Sequence, residues 1–314
     1  TVHDYYGMGK GQIESLNGRK LHNLGFMGQG MTIAVLDAGF MNVDKIAAFR
    51  NLNIKGTHNF VAGYDNDVYK EMDHGTKTLS TIAMNQPTVF VGTAPKADFW
   101  LLRTEDYSTE SPAEEDFWIA AVEFSDSVGV DIISSSLGYH GFDDISMNYR
   151  YSDLNGRTAA ISQVASRLAS KGMILVNSAG NDGMGTWKKI NVPADAHDIL
   201  TVGAVSLDKV NAPFSSIGPT ADGRIKPDVM AYGCPTNVVS GRGYIIPDNG
   251  TSFACPLIAG MVACLWQACP NKSAKEILDI VRQSGNNCQS PDNIMGYGIP
   301  DFWSAYQSAT RYNQ

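Results

Sequence analysis

The sequence predicts an α/β fold in three layers, with a mostly parallel central sheet and helices on both faces. Short runs of apolar or β-branched residues alternate along the chain with segments of helical periodicity. The chain has 314 residues, a length that α/β proteins with a large sheet reach as one domain. Hydrophobic residues make up 43% and charged residues 18%, which is typical of a folded globular protein.

Five segments are predicted to form strands of this sheet. Each is a short apolar run bounded by Gly, Asp or Ser, as in strands that are buried on both faces. They are residues 32–36, 97–102, 131–134, 173–177 and 199–202. Because ligands of parallel α/β sheets bind beyond the carboxyl ends of the strands, functional residues are expected where these segments end.

Helix start and stop signals predict three amphipathic helices. Residues 111–114 place a Ser, a Pro and a Glu at the spacing of a capping box, and the helix that they open ends at Gly129. A second helix is expected to begin after a Thr158 cap and to end at Gly172. Residues 273–276 repeat the capping box at the start of a third helix.

Residues 249–269 contain no charged side chain and raise the question of a membrane span. A span needs about 20 apolar residues, and this stretch is interrupted by Pro256, Gly260 and Gln267 and lacks a basic flank. A helix buried in the core is therefore the better interpretation. Pro256 lies close to the first turn, where the loss of one N–H donor does little harm.

The charge of the chain argues against a nucleic-acid partner. The formal net charge is -8, and no run of Lys or Arg with interleaved aromatic residues supplies a basic footprint. Residues 1–7 lack a basic segment followed by an apolar one, so they are not expected to form a signal peptide. No repeat or linker divides the sequence, which indicates one domain.

The five cysteines are too few and too irregularly spaced for a zinc site or a disulfide framework. Cys255 and Cys264 lie inside the apolar stretch, where thiols usually behave as small hydrophobic groups. Cys269 ends that stretch and Cys288 follows the next predicted helix. A helical hairpin would bring these two together, so one disulfide between Cys269 and Cys288 is expected.

Asp37, His74 and Ser252 each have an ordinary explanation when taken singly. Asp37 follows the first predicted strand directly, where an Asp more often forms a turn or caps a helix. His74 opens a helical segment whose positive end favours the neutral imidazole that a general base needs, although a surface or capping role is common there. Ser252 begins the apolar helix, where it would serve as a simple N-cap.

Together with Asn181, these residues supply the groups that acyl transfer by a serine requires. A serine hydroxyl is a poor nucleophile until a histidine accepts its proton and a carboxylate fixes the tautomer of that histidine. The oxyanion that forms needs a preorganised N–H donor, which Asn181 offers in the loop after the fourth predicted strand. The four residues therefore fill four different roles.

Three sequence elements resemble those of the subtilisin-like serine proteases, the subtilase family. In the family's order of Asp, His and Ser they are Asp37-Ala-Gly39, His74-Gly-Thr76 and Gly250-Thr-Ser-Phe-Ala-Cys-Pro256. With further landmarks at 214–219 and 226–228, the resemblance runs from about residue 29 to residue 283. It implies about seven strands and a single peptidase domain over 1–314, with 1–28 as an N-terminal extension packed on it and 284–314 as a C-terminal tail.

The same resemblance implies a role for each site residue. Asp37, His74 and Ser252 are the catalytic residues, and Asn181 belongs to the oxyanion hole. The walls of the pocket for the substrate residue before the cleaved bond are Ser136, Leu137 and Gly138 on one side and Ala179 and Gly180 on the other. The implied activity is that of a secreted serine endopeptidase that hydrolyses peptide bonds through an acyl-enzyme intermediate.

The resemblance also bears on partners, location and metal ions. It implies a peptide or protein substrate, an inhibitory propeptide in the precursor with Thr1 as the end left by its removal, and a place outside the cell or in the cell envelope. No cofactor is required and no metal ligand is assigned. Calcium is left open, because residues 83–87 close the helix after His74 without the calcium loop of many relatives, and the acidic turns at 65–67 and 153–155 are typical of solvated turns.

Three other functions fit the sequence less well. An α/β-hydrolase esterase needs Gly-x-Ser-x-Gly, whereas Ser252 lies in Gly-Thr-Ser-Phe-Ala. The glycines at 25–30 precede the first strand, which is the wrong order for a dinucleotide-binding turn. A non-catalytic binding or scaffold protein of subtilisin shape is the alternative from a different class, although every required side chain is present.

Overall fold

The computed structural model describes residues 4–311, and its centre is a sheet of seven parallel strands. The strands of the described residues, inside and outside this sheet, are β1 (Thr32–Asp37), β2 (Asn53–Asn59), β3 (Asn85–Gln86), β4 (Phe90–Val91), β5 (Asp98–Arg103), β6 (Ile132–Ser135), β7 (Ile174–Ser178), β8 (Leu200–Ser206), β9 (Val229–Cys234), β10 (Thr236–Val239) and β11 (Ile245–Asp248). The order in the sheet is β2-β5-β1-β6-β7-β8-β9, while β3 pairs with β4 and β10 with β11 in two-stranded ribbons.

Helices cover both faces of the sheet. They are α1 (Lys10–Ser15), α2 (Arg19–Asn23), α3 (His74–Ala83), α4 (Ala113–Ser127), α5 (Ala160–Ala165), α6 (Thr251–Ala268), α7 (Ala274–Gln283) and α8 (Phe302–Thr310). Side chains alternate along β1, so that Ile33 and Val35 enter one core while Ala34 and Leu36 enter the other. The first core contains α3, α6, α7 and α8, and the second contains α4 and α5. The predicted three-layer α/β class is therefore confirmed.

The five predicted strands are confirmed as β1, β5, β6, β7 and β8. The sequence did not indicate the two edge strands, β2 and β9. β2 alternates between exposed and partly buried residues and contains polar and small side chains, so it lacks the apolar pattern of the central strands. The carboxyl ends of β1, β6 and β7 lie at one edge, because Leu36 pairs with Ser135 and Ser135 pairs with Asn177.

The predicted helix starts are confirmed in part. Ser273 and Glu276 form the complete capping box of α7. At α4 only half of the box is present, since the Ser111 N–H donates to Glu114 at 3.4 Å and the Ser111 side chain makes no cap. The predicted N-cap at Thr158 is wrong. The Asn155 side chain accepts from the Thr158 N–H at 2.8 Å and forms a turn there, so α5 begins only at Ala160.

The apolar stretch forms α6, which lies inside the protein. Among residues 4–311 it is the one helix long and apolar enough to cross a membrane, with a mean hydropathy of 1.4, and 83% of it is buried in the fold. Every residue from Thr251 to Leu265 is buried, and the helix packs against β6, β7, β8 and β9. The prediction of a buried core helix is confirmed.

Pro256 has a structural consequence at the start of α6. Its missing N–H would have bonded to the carbonyl of Ser252, four residues earlier. The Ser136 hydroxyl, just beyond the end of β6, instead donates to that carbonyl at 2.7 Å. This bond joins the first turn of α6 to the carboxyl edge of the sheet.

The predicted Cys269–Cys288 disulfide is wrong, since all five thiols are free. The two cysteines flank the same helix: Cys269 precedes α7 and Cys288 follows it. A helix of ten residues is about 15 Å long, whereas the Cα atoms of a disulfide lie within about 7 Å. Cys269 instead shares a surface cavity with Ala309 and Thr310 of α8.

Both ends of the described chain pack on the first core. Ile13 of α1, Leu21 of α2 and Phe302 of α8 are each at most 1% exposed. Within the described residues, the predicted extension (1–28) and the predicted tail (284–314) therefore each contribute buried side chains to this core. The expectation for Thr1 concerns a residue outside the described range.

We predict that Ser136→Ala destabilises the fold by about 1–3 kcal/mol, because it leaves the buried Ser252 carbonyl without a donor. Urea unfolding followed by fluorescence measures the difference. Ser170→Ala is the matched control, since Ser170 is exposed and bonds only within its own turn, and it should change stability by less than about 0.5 kcal/mol. Equal unfolding curves for the two variants would contradict this role of Ser136.

Candidate active site

Asp37 and His74 form a hydrogen-bonded pair at the carboxyl edge of the sheet. Asp37 is the last residue of β1 and His74 the first residue of α3, and the imidazole Nδ1 lies 2.7 Å from Asp37 Oδ1. Asp37 is 2% exposed. Its carboxylate also accepts from the Ala38 N–H at 2.7 Å and from the Thr78 hydroxyl at 3.2 Å. Because a carboxylate can only accept, Nδ1 carries the proton and Nε2 is the free acceptor of the neutral ring.

The electrostatics of His74 differ from the prediction based on the helix end. Burial is the largest single effect and lowers the pKa of His74, but the charge and hydrogen bond of Asp37 outweigh it. Lys77 opposes the imidazolium weakly and Asp248 favours it, and the net result is a pKa raised above the ordinary value. The neutral base form is therefore complete only at higher pH than for an unperturbed histidine.

Ser252 lies in the first turn of α6 and is 8% exposed. The alternative of a simple N-cap is wrong, because Gly250 is the N-cap and the Ser252 hydroxyl donates to the carbonyl of Ser136 at 3.4 Å. Phe253 packs its ring 5.5 Å from the His74 ring, centroid to centroid. No hydrogen bond joins Ser252 to His74 in the part of the chain that the structure describes, so such a bond requires the hydroxyl to leave Ser136.

Asn181 is held beside Ser252 by its neighbour Thr251. The N–H and the hydroxyl of Thr251 both donate to Asn181 Oδ1 at 2.9 Å. This double contact fixes the carboxamide and leaves its Nδ2 group without an acceptor among residues 4–311. The N–H of Ser252 also has no acceptor there, as expected for the first turn of a helix. Two free N–H donors thus stand together, which is the arrangement that binds an oxyanion.

A cavity of about 270 Å³ opens beside Ser252. Its lining residues are Glu105, Tyr107, Glu110, Ser136, Leu137, Gly138, Ser178, Gly180, Asn181, Asp182, Asn191, Thr251 and Ser252. Four of the five predicted wall residues therefore line it. Ala179 does not, because it is fully buried and belongs to the second core. Gly180 adopts a φ of +111°, and a Cβ there would lie 2.9 Å from both Asn191 Nδ2 and Ser216 Oγ.

The sequence did not single out Glu105, Tyr107, Glu110, Asp182 or Asn191. Glu105 to Glu110 follow β5 closely, and Asp182 and Asn191 follow β7. Their positions after strand ends therefore agree with the general rule that functional residues follow the strands of a parallel sheet. No motif marked them, because their proximity to Ser252 depends on how the loops cross the sheet edge.

The two acidic turns do not fit a calcium ion. Asp65 and Asp67 face Lys70 at 3.4 and 3.5 Å, and Asp65 also accepts from the Asp67 N–H. Asp153 accepts from the Arg150 N–H at 2.7 Å. No group of three or more His, Cys, Asp or Glu side chains suited to a metal ion occurs in residues 4–311.

Comparison with known proteins decides the family. A family model described as the subtilase family matches residues 28–298. The chain belongs to the subtilase family. Subtilisin NAT of Bacillus subtilis subsp. natto is 29% identical over 280 residues, covering 88% of this chain and 66% of that protein. This subtilase therefore spans just under two thirds of that relative. Subtilisin of Bacillus pumilus is 29% identical over 269 residues, covering 85% of this chain and 88% of that protein.

Solved structures share the subtilase fold at lower identity. MycP1 with its N-terminal propeptide removed gives a TM-score of 0.72 at 20% identity, and the match covers 94% of this chain and 96% of that one. A protease from Pseudoalteromonas arctica PAMC 21717 gives a TM-score of 0.74 at 21% identity, covering 98% of this chain and 100% of that one. These matches agree with the seven-stranded parallel sheet and its surrounding helices.

We predict that Asp37→Asn lowers the pKa of His74 relative to the wild type, because burial then acts without the carboxylate that opposes it. NMR titration of the imidazole measures this pKa. The raised pKa means that the charged pair stabilises the fold at low pH and that this stabilisation is lost as the pH rises through the pKa of His74. Asp208→Asn, in an exposed loop, is the control and should leave the titration unchanged. An unchanged pKa in Asp37→Asn would contradict the assignment of Asp37 as the cause.

Proposed function

We propose that this subtilase is a secreted serine endopeptidase that uses Asp37, His74 and Ser252 as a catalytic triad. The observation that carries the proposal is the 2.7 Å bond between Asp37 and His74, at the same sheet edge as Ser252. It fixes the tautomer in which Nε2 is the base. The family and the subtilisin relatives support peptide hydrolysis as the reaction class.

The first half of the reaction forms an ester on Ser252. The Ser252 hydroxyl turns from Ser136 toward His74, its oxygen attacks the carbonyl carbon of a peptide bond, and its proton passes to His74 Nε2. The oxyanion accepts hydrogen bonds from Asn181 Nδ2 and the Ser252 N–H. The C–N bond then breaks, and His74 gives the proton to the leaving amine. Asp37 stays ionised and stabilises the imidazolium that exists between the two transfers.

The second half restores the enzyme. A water molecule gives a proton to His74 Nε2 and attacks the ester carbonyl, and the same two N–H donors bind the second oxyanion. The proton then returns to Ser252 as the carboxylic acid product leaves. Since the base must be neutral at the start, activity falls on acidification, and the raised pKa of His74 places this loss above the pH of an ordinary histidine.

The substrate strand is proposed to lie between the two chain segments that line the cavity. Ser136, Leu137 and Gly138 follow β6, and Gly180 and Asn181 follow β7, so their backbone groups flank an entering peptide. Ala179 contributes from behind this surface, where it is buried. No cofactor takes part in the proposed steps.

We further infer that the protein is made with an inhibitory propeptide and acts outside the cell or in the cell envelope. The support is the family resemblance, together with a solved neighbour whose own propeptide was removed. The free thiols of Cys269 and Cys288 withdraw the support that a disulfide would have given. Immunoblots of culture medium, envelope and cytosol test the location, and recovery of the protein only in the cytosol would contradict it.

We predict that a fluorophosphonate probe labels Ser252. The serine oxygen attacks phosphorus, fluoride leaves, and the serine proton passes through His74, so labelling reports the activated nucleophile. Peptide mapping by mass spectrometry locates the adduct. Ser252→Ala should give no adduct, whereas Ser170→Ala should be labelled like the wild type.

This experiment also tests the non-catalytic alternative. The contact of the Ser252 hydroxyl with Ser136 instead of His74 is the one observation that favours a subtilisin-shaped scaffold. A folded wild-type protein without an adduct on Ser252 would support that scaffold and overturn the proposed peptidase.

We predict that Asn181→Asp lowers kcat by at least about 10²–10³-fold, the loss measured for the equivalent oxyanion-hole change in subtilisin itself. The variant keeps an oxygen that accepts from Thr251, while the carboxylate oxygen in place of Nδ2 cannot donate and also repels the oxyanion. Steady-state hydrolysis of a peptide substrate measures kcat and KM. Asn271→Ala, at an exposed position, is the control. A kcat near that of the control would exclude Asn181 from the oxyanion hole.

A further inference from the structure

The cavity beside Ser252 is lined by three carboxyl groups and by no Lys or Arg among the described residues. Glu105 and Glu110 come from the loop between β5 and α4, and Asp182 comes from the loop after β7. The acids therefore come from two different loops at the carboxyl edge of the sheet. Buried or half-buried carboxyl groups normally have a cationic partner. Here Asp182 has His140 at 3.5 Å, and the open cavity lies beside the acids.

The loop between β5 and α4 holds its acids in place through buried contacts. Glu105 is 6% exposed and accepts a hydrogen bond from the Tyr139 hydroxyl, which is itself buried. Burial first, and then the neighbouring Glu114, raises the pKa of Glu105 well above its usual range. Two hydrogen bonds join Glu110 to Asp143. The Glu110 N–H donates to the Asp143 carboxylate at 3.0 Å, and the Asp143 N–H donates to the Glu110 carbonyl at 2.9 Å.

Asn191 shapes the wall of the cavity. This side chain is 9% exposed and lines the cavity, and its Oδ1 is buried without a hydrogen-bond partner among the described residues. Asn191 also restricts its surroundings, because Cβ atoms at Gly138 and Gly180 would each approach it to 2.9 Å. The cavity thus has a close-packed wall beside its carboxyl groups, and the carboxyl oxygens can accept from a donor.

We propose that this cavity binds a positively charged substrate side chain, of lysine or arginine, close to the cleaved bond. The inference rests on the proposed function and specifies the substrate class of that same site. Glu110 and Asp182 supply the opposite charge, and Glu105 lines the same cavity. A lysine ammonium has three donors and an arginine guanidinium five, so either can serve several acceptors at once.

Charged and titratable groups surround Glu110 on every side. Tyr107 and Glu105 lie on its own loop, Glu114 on α4, and His140 and Asp143 on the segment after β6. Burial first, then Glu114 and Asp143, raise the pKa of Glu110 to about 7, and His140 acts in the opposite direction. Asp182 differs, since His140 lies 3.5 Å from it and the hydrogen bond between them is the largest effect lowering its pKa.

This difference gives the proposal a distinctive pH dependence. As the pH rises through about 7, Glu110 loses its proton and attracts a cation more strongly. A lysine side chain keeps its charge over this range, because its ordinary pKa is about 10.4. The protonation of His74 affects hydrolysis of all substrates alike, so it cancels in a ratio of two substrates. The preference for a cationic side chain should therefore increase between pH 6 and pH 8.5.

The experiment compares matched fluorogenic peptides with acetylated N-termini. Each position from the fourth residue before the cleaved bond to the first after it carries lysine, arginine or norleucine in turn, and norleucine keeps the length of lysine without its charge. The expected result is a kcat/KM at pH 8 that is about tenfold or more higher for lysine or arginine at one position. A tenfold ratio is a free-energy difference of about 1.4 kcal/mol, the same size as a shift of one pKa unit.

Variants test which groups produce the preference. Glu110→Gln should lower the lysine-to-norleucine ratio about tenfold and abolish its rise with pH, and Asp182→Asn should lower the ratio as well. Glu123→Gln, on the exposed face of α4, is the matched control and should keep both the ratio and its pH dependence. Circular dichroism checks that each variant is folded.

A binding measurement keeps this proposal separate from the proposed function. Fluorescence anisotropy of labelled lysine and norleucine peptides with Ser252→Ala reports selection without hydrolysis. If no peptide is cleaved but the lysine peptide binds preferentially, the proposed function fails and the cation site stands. Equal cleavage and equal binding of both peptides would overturn the cation site. A preference seen only with free N-termini would also overturn it, because the ammonium would then come from the peptide end.

Discussion

The burial of α6 against the sheet is the constraint on which the site depends. Its residues from Thr251 to Leu265 are all buried, so the hydrophobic effect fixes the helix axis beneath the strands. Two polar contacts then help to set where the first turn lies relative to the sheet edge. The Ser136 hydroxyl supplies one by bonding to the Ser252 carbonyl, which Pro256 leaves free, and Asn181 supplies a second through Thr251. A core helix thus holds Ser252 at the carboxyl edge of the sheet.

Buried carboxyl groups at this edge behave differently because their partners differ. Asp37 accepts from an imidazole, a backbone N–H and a hydroxyl. Glu105 is buried to a similar degree but stands beside another acid, Glu114, which favours the protonated form. Two similarly buried carboxyl groups therefore have different surroundings, hydrogen-bond donors around Asp37 and a second acid beside Glu105.

Much of the fold could be predicted from the sequence, because the central strands are buried on both faces and have a continuous apolar pattern. The polar edge strand β2 could not, since its residues are exposed or only partly buried and lack a continuous apolar pattern. Asp37, His74 and Ser252 could be identified because each lies in a short local motif. The prediction of a Cys269–Cys288 disulfide was wrong because it was not based on a local motif. The positions at the two ends of one helix suggested proximity, but the length of α7 separates the two residues.

The residues that line the cavity from the loop after β5 are the hardest to predict, because they depend on the path of that loop. In the sheet order β5 is separated from β6 by β1, so the chain leaving β5 must pass the end of β1 to reach the cavity beside β6. Along that path Tyr107 comes within 6.3 Å of the His74 ring, and Glu105 bonds to Tyr139 beyond β6. The loop therefore touches the acid–base pair and the cavity at once. A net charge of -8 does not indicate where these acids lie in the structure. The buried Glu105–Tyr139 contact fixes the path of the loop and brings Glu110 to the cavity that Ser252 lines.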